Sequence, residues 1–227
     1  MFNVFYYNLY FYYLVYLLYF LNIYYMCNSH YEIINNNENL IVCFGGMSLQ
    51  FGGILPFEFL NYLSSIYCNI CDLIFYVDNN QCWYHKGIKD ITNNINDTVI
   101  YLNTIINDGD YKKIIFMGVS AGGYASILFG SLCNNVTNVI SFIPQTILIN
   151  PINVDYSNLK PIINNNTKYV LYGETSVTNI NGFHHISQCE NIECFANVEI
   201  IKKNTINLKQ MRDNGDIKKI IDDILII

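Results

Sequence analysis

Charge is scarce in this sequence. Only 13% of its 227 residues are Asp, Glu, Lys or Arg, against 52% hydrophobic, a balance that excludes a disordered chain. The 12 Lys and Arg are outnumbered by 18 Asp and Glu, for a net charge of −6. The lysines come in separate pairs, such as Lys112-Lys113 and Lys202-Lys203. With no basic stripe to neutralise phosphates, a nucleic-acid partner is not expected. Of the 8 cysteines, only Cys68 and Cys71 are spaced like metal ligands. Cys189 and Cys194 do not complete a zinc set, so no metal is expected. Cys43 and Cys133 sit inside apolar runs and read as small core residues. No repeat or linker divides residues 32–227, which read as one domain, long enough for a sizeable core.

The first 31 residues contain no charged side chain at all. They are rich in Tyr and Phe, and long enough to cross a bilayer. They lack the flanking Lys or Arg of an oriented membrane helix and the basic start and cleavage site of a signal peptide. Three readings stay open for this segment. It is a membrane anchor through residues 1–26, or translated AT-rich sequence ahead of the true start (Met26 or Met47), or an element packed on the domain. Met47 as a start would delete a central strand. The expected location is cytoplasmic, or membrane-anchored if the segment is real.

From Leu40 the pattern is regular. Short continuous apolar runs suit buried parallel strands: Leu40–Gly46, Cys71–Val77, Lys112–Val119, Val136–Pro144, Lys168–Gly173 and Val198–Lys203. Helices are expected over Pro56–Tyr67, Lys89–Asp108, Ala121–Cys133, Ile180–Asn191 and Asp216–Ile227. His30 falls outside the domain. The alternation implies an α/β fold, a mostly parallel central sheet with helices on both faces and no large lid. Ligands of such sheets sit at the carboxyl ends of the strands. Gly45-Gly46, Asp78, Ser120 and Glu174 should therefore share one rim.

The stretch "GVSAGG", Gly118–Gly123, raises the sharpest question. In a G-x-S-x-G turn between strand and helix the serine is held in a strained geometry with its oxygen above the sheet. Gly118 and Gly122 let strand and helix approach closely. The helix N-terminus favours developing negative charge. Ala121 would give one oxyanion N–H, and Gly46 or Met47, in "FGGMSLQFGG", the second. The plainer alternative is that Ser120 caps the helix.

These stretches resemble the α/β-hydrolase superfamily. The marks are "IVCFGGM" (Ile41–Met47), "FEF" (Phe57–Phe59), the Asp of "YVDNNQCWYHKGI" (Tyr76–Ile88), the elbow "GVSAGGYASILFGSL" (Gly118–Leu132) and "PQT" (Pro144–Thr146). Within the superfamily they are similar to bacterial and giant-virus hydrolase-like proteins, some linked with surface-glycan genes. The resemblance covers residues 40–150 well and the rest loosely. It implies the α/β-hydrolase fold, in which the chain order is nucleophile, acid, histidine; no cofactor is expected.

Glu174, in "YGETS", is the expected acid. The histidine is missing from its expected place at Thr205-Ile206-Asn207, and none follows His185. A serine without a base is a poor nucleophile. The substitutes are His184 or His185, expected on the first turns of a helix, where neighbours point about 100° apart, and His85 on the loop after the second strand. Asp78 and Trp83 are candidates for binding a hydroxylated ligand, against a plainer role for Asp78 in capping its turn. The expected function is an esterase or acyl hydrolase on a small-molecule ester or glycan-related ligand. The alternative is a non-catalytic relative that kept the pocket to bind a ligand or partner, including a membrane-anchored accessory protein of glycan assembly.

Overall fold

The computed structural model describes residues 29–47, 57 and 59–226. The N-terminal segment 1–28, and with it the anchor readings, lies outside the described residues, as does most of the loop 48–58. Among the described residues no helix is long and apolar enough to cross a membrane.

Seven strands form one sheet: β1 (His30–Ile33), β2 (Asn39–Phe44), β3 (Asp72–Tyr76), β4 (Lys113–Val119), β5 (Asn138–Phe142), β6 (Lys168–Glu174) and β7 (Val198–Lys203), ordered β1-β3-β2-β4-β5-β6-β7. All neighbours run parallel except β1, which pairs antiparallel with β3. His30 opposes Tyr76 in that pairing, so His30 belongs to the sheet edge, correcting its assignment outside the domain. The helices are α1 (Leu60–Tyr67), α2 (Ile95–Asp108), α3 (Ala121–Leu132), α4 (Ser187–Glu190), α5 (Leu208–Asp213) and α6 (Asp216–Leu225).

Successive strand residues point to opposite faces, and both faces of this sheet are apolar. Leu40, Val42 and Phe44 of β2 join Ile114 and Phe116 under α2 and α3. Ile41 and Cys43 join Ile115 and Met117 under α1 and α6. This is why the strands read as continuous apolar runs and not as alternating ones. Helix α3 is buried along nearly its whole length, so it is apolar all round, unlike a surface helix.

Three helix expectations shorten. α2 starts at Ile95, capped by Asn94, whose side chain accepts the Asp97 N–H; the residues from Lys89 form turns before it. Within Pro56–Tyr67 the helix is Leu60–Tyr67. The helix expected over Ile180–Asn191 is reduced to Ser187–Glu190, and Ile180–Ile186 is a loop. The asparagines and glycine of "NING" favour turns: Asn179 accepts the N–H groups of both Asn181 and Gly182.

Candidate active site

The carboxyl ends of β2, β3, β4, β5 and β6 converge on one rim. β4 passes directly into α3 at Ser120, whose backbone stands at φ 55°, ψ −117°. An L-residue is costly there, and such strain persists only where the surroundings impose it. The imposing contacts are specific. Ser120 N–H donates to the Phe142 carbonyl at 2.9 Å, and the Ser120 carbonyl accepts the Tyr124 N–H at 2.9 Å. A Cβ on Gly122 would stand 2.0 Å from the Phe44 carbonyl oxygen, and one on Gly118 2.2 Å from the Gly122 oxygen. Only glycine permits strand β2, strand β4 and helix α3 to meet this closely. Ser120 makes no side-chain capping bond to the helix, which removes the plainer alternative. Ala121 is the first residue of α3, where a backbone N–H has no partner within the helix.

Ser120 Oγ lies 2.8 Å from Nε2 of His184. The two come together across 64 positions of sequence because β6 and its following loop stand next to β5, on the far side from β4. His184 sits in that loop and not on a helix turn. His185, its neighbour, bridges in parallel to Glu174 at the end of β6. Its side chain is engaged elsewhere: Nδ1 meets Ser187 Oγ at 2.8 Å and accepts the Ser187 N–H at 3.1 Å. Burial holds the His184 imidazole below its ordinary value, against the pull of the Glu174 charge. It is the neutral ring that can accept a proton.

Glu174 ends β6 on the same rim. Its carboxylate accepts from Ser176 Oγ and, at 3.1 Å, from the Ile206 N–H. Among the described residues it makes no hydrogen bond to His184 and reaches it through its charge. Thr205-Ile206-Asn207, where the histidine was expected, thus contributes a backbone donor that holds the acid.

The remaining candidates have other partners. His85 is 4% exposed. Its Nδ1 accepts the Asn153 N–H at 3.0 Å, so its Nε2 carries the proton and donates to Tyr124 Oη at 2.8 Å. That hydroxyl donates onward to the Tyr156 carbonyl. Burial lowers the His85 pKa to about 4. His85 fastens the loop and, among the described residues, makes no hydrogen bond to Ser120. Asp78 is fully buried and its carboxylate is engaged by the backbone. Its two oxygens accept the N–H groups of Asn80, Cys82 and Tyr84. Burial raises its pKa, and these bonds oppose the rise. They pin a turn in which Gln81, Trp83 and Tyr84 all have positive φ. From that turn Tyr84 Oη donates to the Gly45 carbonyl at 3.0 Å, and Gln81 Nε2 to the Met47 carbonyl at 2.7 Å. The turn therefore braces Gly46 and Met47 beside the rim.

One residue of the site escaped the sequence reading. Gln145, 2% exposed, donates from Nε2 to Ser120 Oγ at 3.2 Å, and its Oε1 accepts Trp83 Nε1–H at 3.1 Å. Its only signal was its place in "PQT", directly after β5.

No family model matches the sequence, and no curated protein does. Solved structures do share its architecture. The capsule O-acetyltransferase of Neisseria meningitidis serogroup A, an H228A mutant in complex with CoA, superposes with a TM-score of 0.52 at 13% identity, over 83% of this chain and 89% of that one. MenH from S. aureus gives 0.54 at 12%, over 87% and 97%. The Pyrococcus furiosus esterase Pf2001 gives 0.53 at 13%, over 87% and 86%. With the sheet order and the sharp strand-to-helix turn at Ser120, these likenesses identify the architecture: the chain has the α/β-hydrolase fold.

Proposed function

We propose that the chain cleaves or transfers an acyl group, with Ser120 as nucleophile and His184 as base. The observation that carries this reading is the 2.8 Å contact between Ser120 Oγ and His184 Nε2 at a strained elbow. Nucleophile and base within hydrogen-bond reach, the base next to a carboxylate, is the arrangement by which a serine hydroxyl becomes reactive at neutral pH.

In the first half-reaction a lone pair of Oγ attacks the acyl carbonyl carbon. The hydroxyl proton passes to His184 Nε2, and the carbonyl π pair moves onto oxygen. The N–H of Ala121 and an N–H of Gly46 or Met47 would hold that oxyanion. Collapse expels the leaving oxygen, which takes the proton from His184, and leaves an acyl-serine. In the second half-reaction water or an acceptor hydroxyl gives its proton to His184 and attacks the acyl-serine; collapse breaks the bond from the acyl carbon to Oγ, and Oγ takes the proton back from His184, releasing the acid or the new ester. Glu174 stabilises the imidazolium formed in each half. The esterase and the O-acetyltransferase among the structural neighbours support a small-molecule ester as the substrate class, with a glycan hydroxyl as one acceptor or leaving group.

Fluorophosphonate labelling of the full chain tests this. Labelling of the wild type, lost in Ser120→Ala and in His184→Ala but retained in His185→Ala, is the expected result. Loss of the base from a serine triad costs on the order of 10⁶-fold in turnover. A folded wild type that takes no label would refute the proposal and leave a ligand-binding relative that kept the pocket.

A further inference from the structure

The carboxamide of Gln145 belongs to no serine–acid–histidine set, yet it touches the reacting oxygen. A buried carboxamide needs partners at both ends, and here both ends have one. The indole of Trp83 can only donate, so it meets the oxygen end, at 3.1 Å. This fixes which way the amide faces. The nitrogen end must point at Ser120 Oγ, 3.2 Å away.

Trp83 is itself held in place. It sits in the turn pinned by Asp78, at φ 55°. Its ring packs against Phe183, centroid to centroid 6.1 Å, beside His184. One indole thus orients the amide and steadies the loop that carries the base.

We infer that Gln145 is a catalytic residue, a side-chain donor whose Nε2–H serves first the Ser120 oxygen and then the oxyanion. The inference rests on Ser120 being the nucleophile. In the free site Oγ accepts from Gln145, which leaves its own O–H directed to His184 Nε2. The same N–H stabilises negative charge on Oγ as that proton departs. Once the Oγ–carbon bond forms, Oγ is an ester-type oxygen and a weaker acceptor. The charge then rests on the former carbonyl oxygen, bonded to the same carbon and therefore adjacent. The N–H turns to it while Oε1 keeps the bond it accepts from the Trp83 indole. The Ala121 donor acts beside it.

The test is the second-order rate of fluorophosphonate inactivation of the full chain, with thermal unfolding as the check on folding. Gln145→Glu keeps the shape and the acceptor for Trp83 but loses the donor. Gln145→Met loses both polar atoms, and the two variants back each other if one fails to fold. Each should slow inactivation by on the order of 10²-fold, the effect of removing one oxyanion donor. Trp83→Phe, which frees the amide to rotate, should slow it less. Trp83→Phe combined with Gln145→Met should be no slower than Gln145→Met alone, since phenylalanine keeps a ring against Phe183 and what the indole N–H adds beyond that passes through the amide. A folded Gln145 variant that reacts at the wild-type rate, or additive losses in the double variant, overturns this inference alone. A folded wild type that does not react overturns it together with the reading of Ser120.

Discussion

The backbone N–H of Ile206 donates to Oε2 of Glu174 at 3.1 Å. That bond, with the one from Ser176, holds the carboxylate beside His184 without placing it on the ring. Its influence is the field of a nearby charge, which raises the His184 pKa against burial. Glu174→Gln should therefore do two things. The acid limb of the pH–inactivation profile should move to lower pH, because nothing then opposes burial. The rate at neutral pH should fall by about 10- to 100-fold, less than the roughly 10⁴-fold seen where the acid bonds the histidine directly. A limb that stays in place would show that the Glu174 charge does not reach the imidazole.

The strained backbone of Ser120 can be weighed directly. Ser120→Gly should be inert to fluorophosphonate yet more stable to urea than Ser120→Ala. Alanine retains the unfavourable conformation at φ 55°, ψ −117°, whereas glycine relieves it. The expected gap is about 1 kcal/mol, a strain of roughly 1–3 kcal/mol less the extra unfolded-state entropy of glycine, roughly 0.5–1 kcal/mol. Equal stabilities would mean that the elbow stores no strain.

Asp78 accepts three backbone N–H groups while fully buried. Asp78→Ala strands those donors and should cost on the order of 3 kcal/mol. It should also slow the Ser120 reaction, because the turn presents Trp83 to Gln145. Retained stability would mean that the turn holds itself.

His85 makes a pH-dependent contribution to stability. Its Nδ1 accepts an N–H from Asn153, so a second ring proton would set two donors against each other. Its pKa falls from 6.5 unfolded to about 4 folded. The unfolded chain thus binds more protons between these values, and stability rises with pH across that window. The contribution is complete above about pH 6.5 and lost progressively toward pH 4. Urea unfolding at pH 7.5 and 4.5 should show a larger acid loss in the wild type than in His85→Gln. Identical losses would show that His85 titrates alike in both states.

Much of the architecture could be read before any coordinates. The parallel strands β2 to β6 are apolar along most of their length because both sheet faces are covered there, and a continuous apolar run ending in glycine or a polar residue marks them; β7, half-exposed at the other edge, shows only a short apolar centre. β1 was not legible: four residues, "HYEI", form a half-covered antiparallel edge, with Glu32 outward. α5 was not legible for a similar reason, being six residues with no fully buried side chain and only Leu208 and Met211 partly packed on the core. The elbow was legible because its glycines answer to local geometry. The His184 contact was only one of several options, since which of two adjacent histidines turns inward depends on how the loop lies against β6. Gln145 stood in the "PQT" mark without a role, because a glutamine becomes chemistry only through what stands on either side of it.

The pairing of His185 with Glu174 has a broader consequence. It ties carboxylate and imidazole into a single stretch of chain, Glu174 to His185, laid along the end of β6. The serine comes from another short stretch, and everything beyond Asn204 lends the pair only a backbone group. A side chain at Ile206 can be exchanged without touching a proton donor or acceptor of the site. After β7 the proposed site draws on packing and one peptide N–H, while the placing of both its acid and its base depends on how the stretch from β6 to α4 is laid.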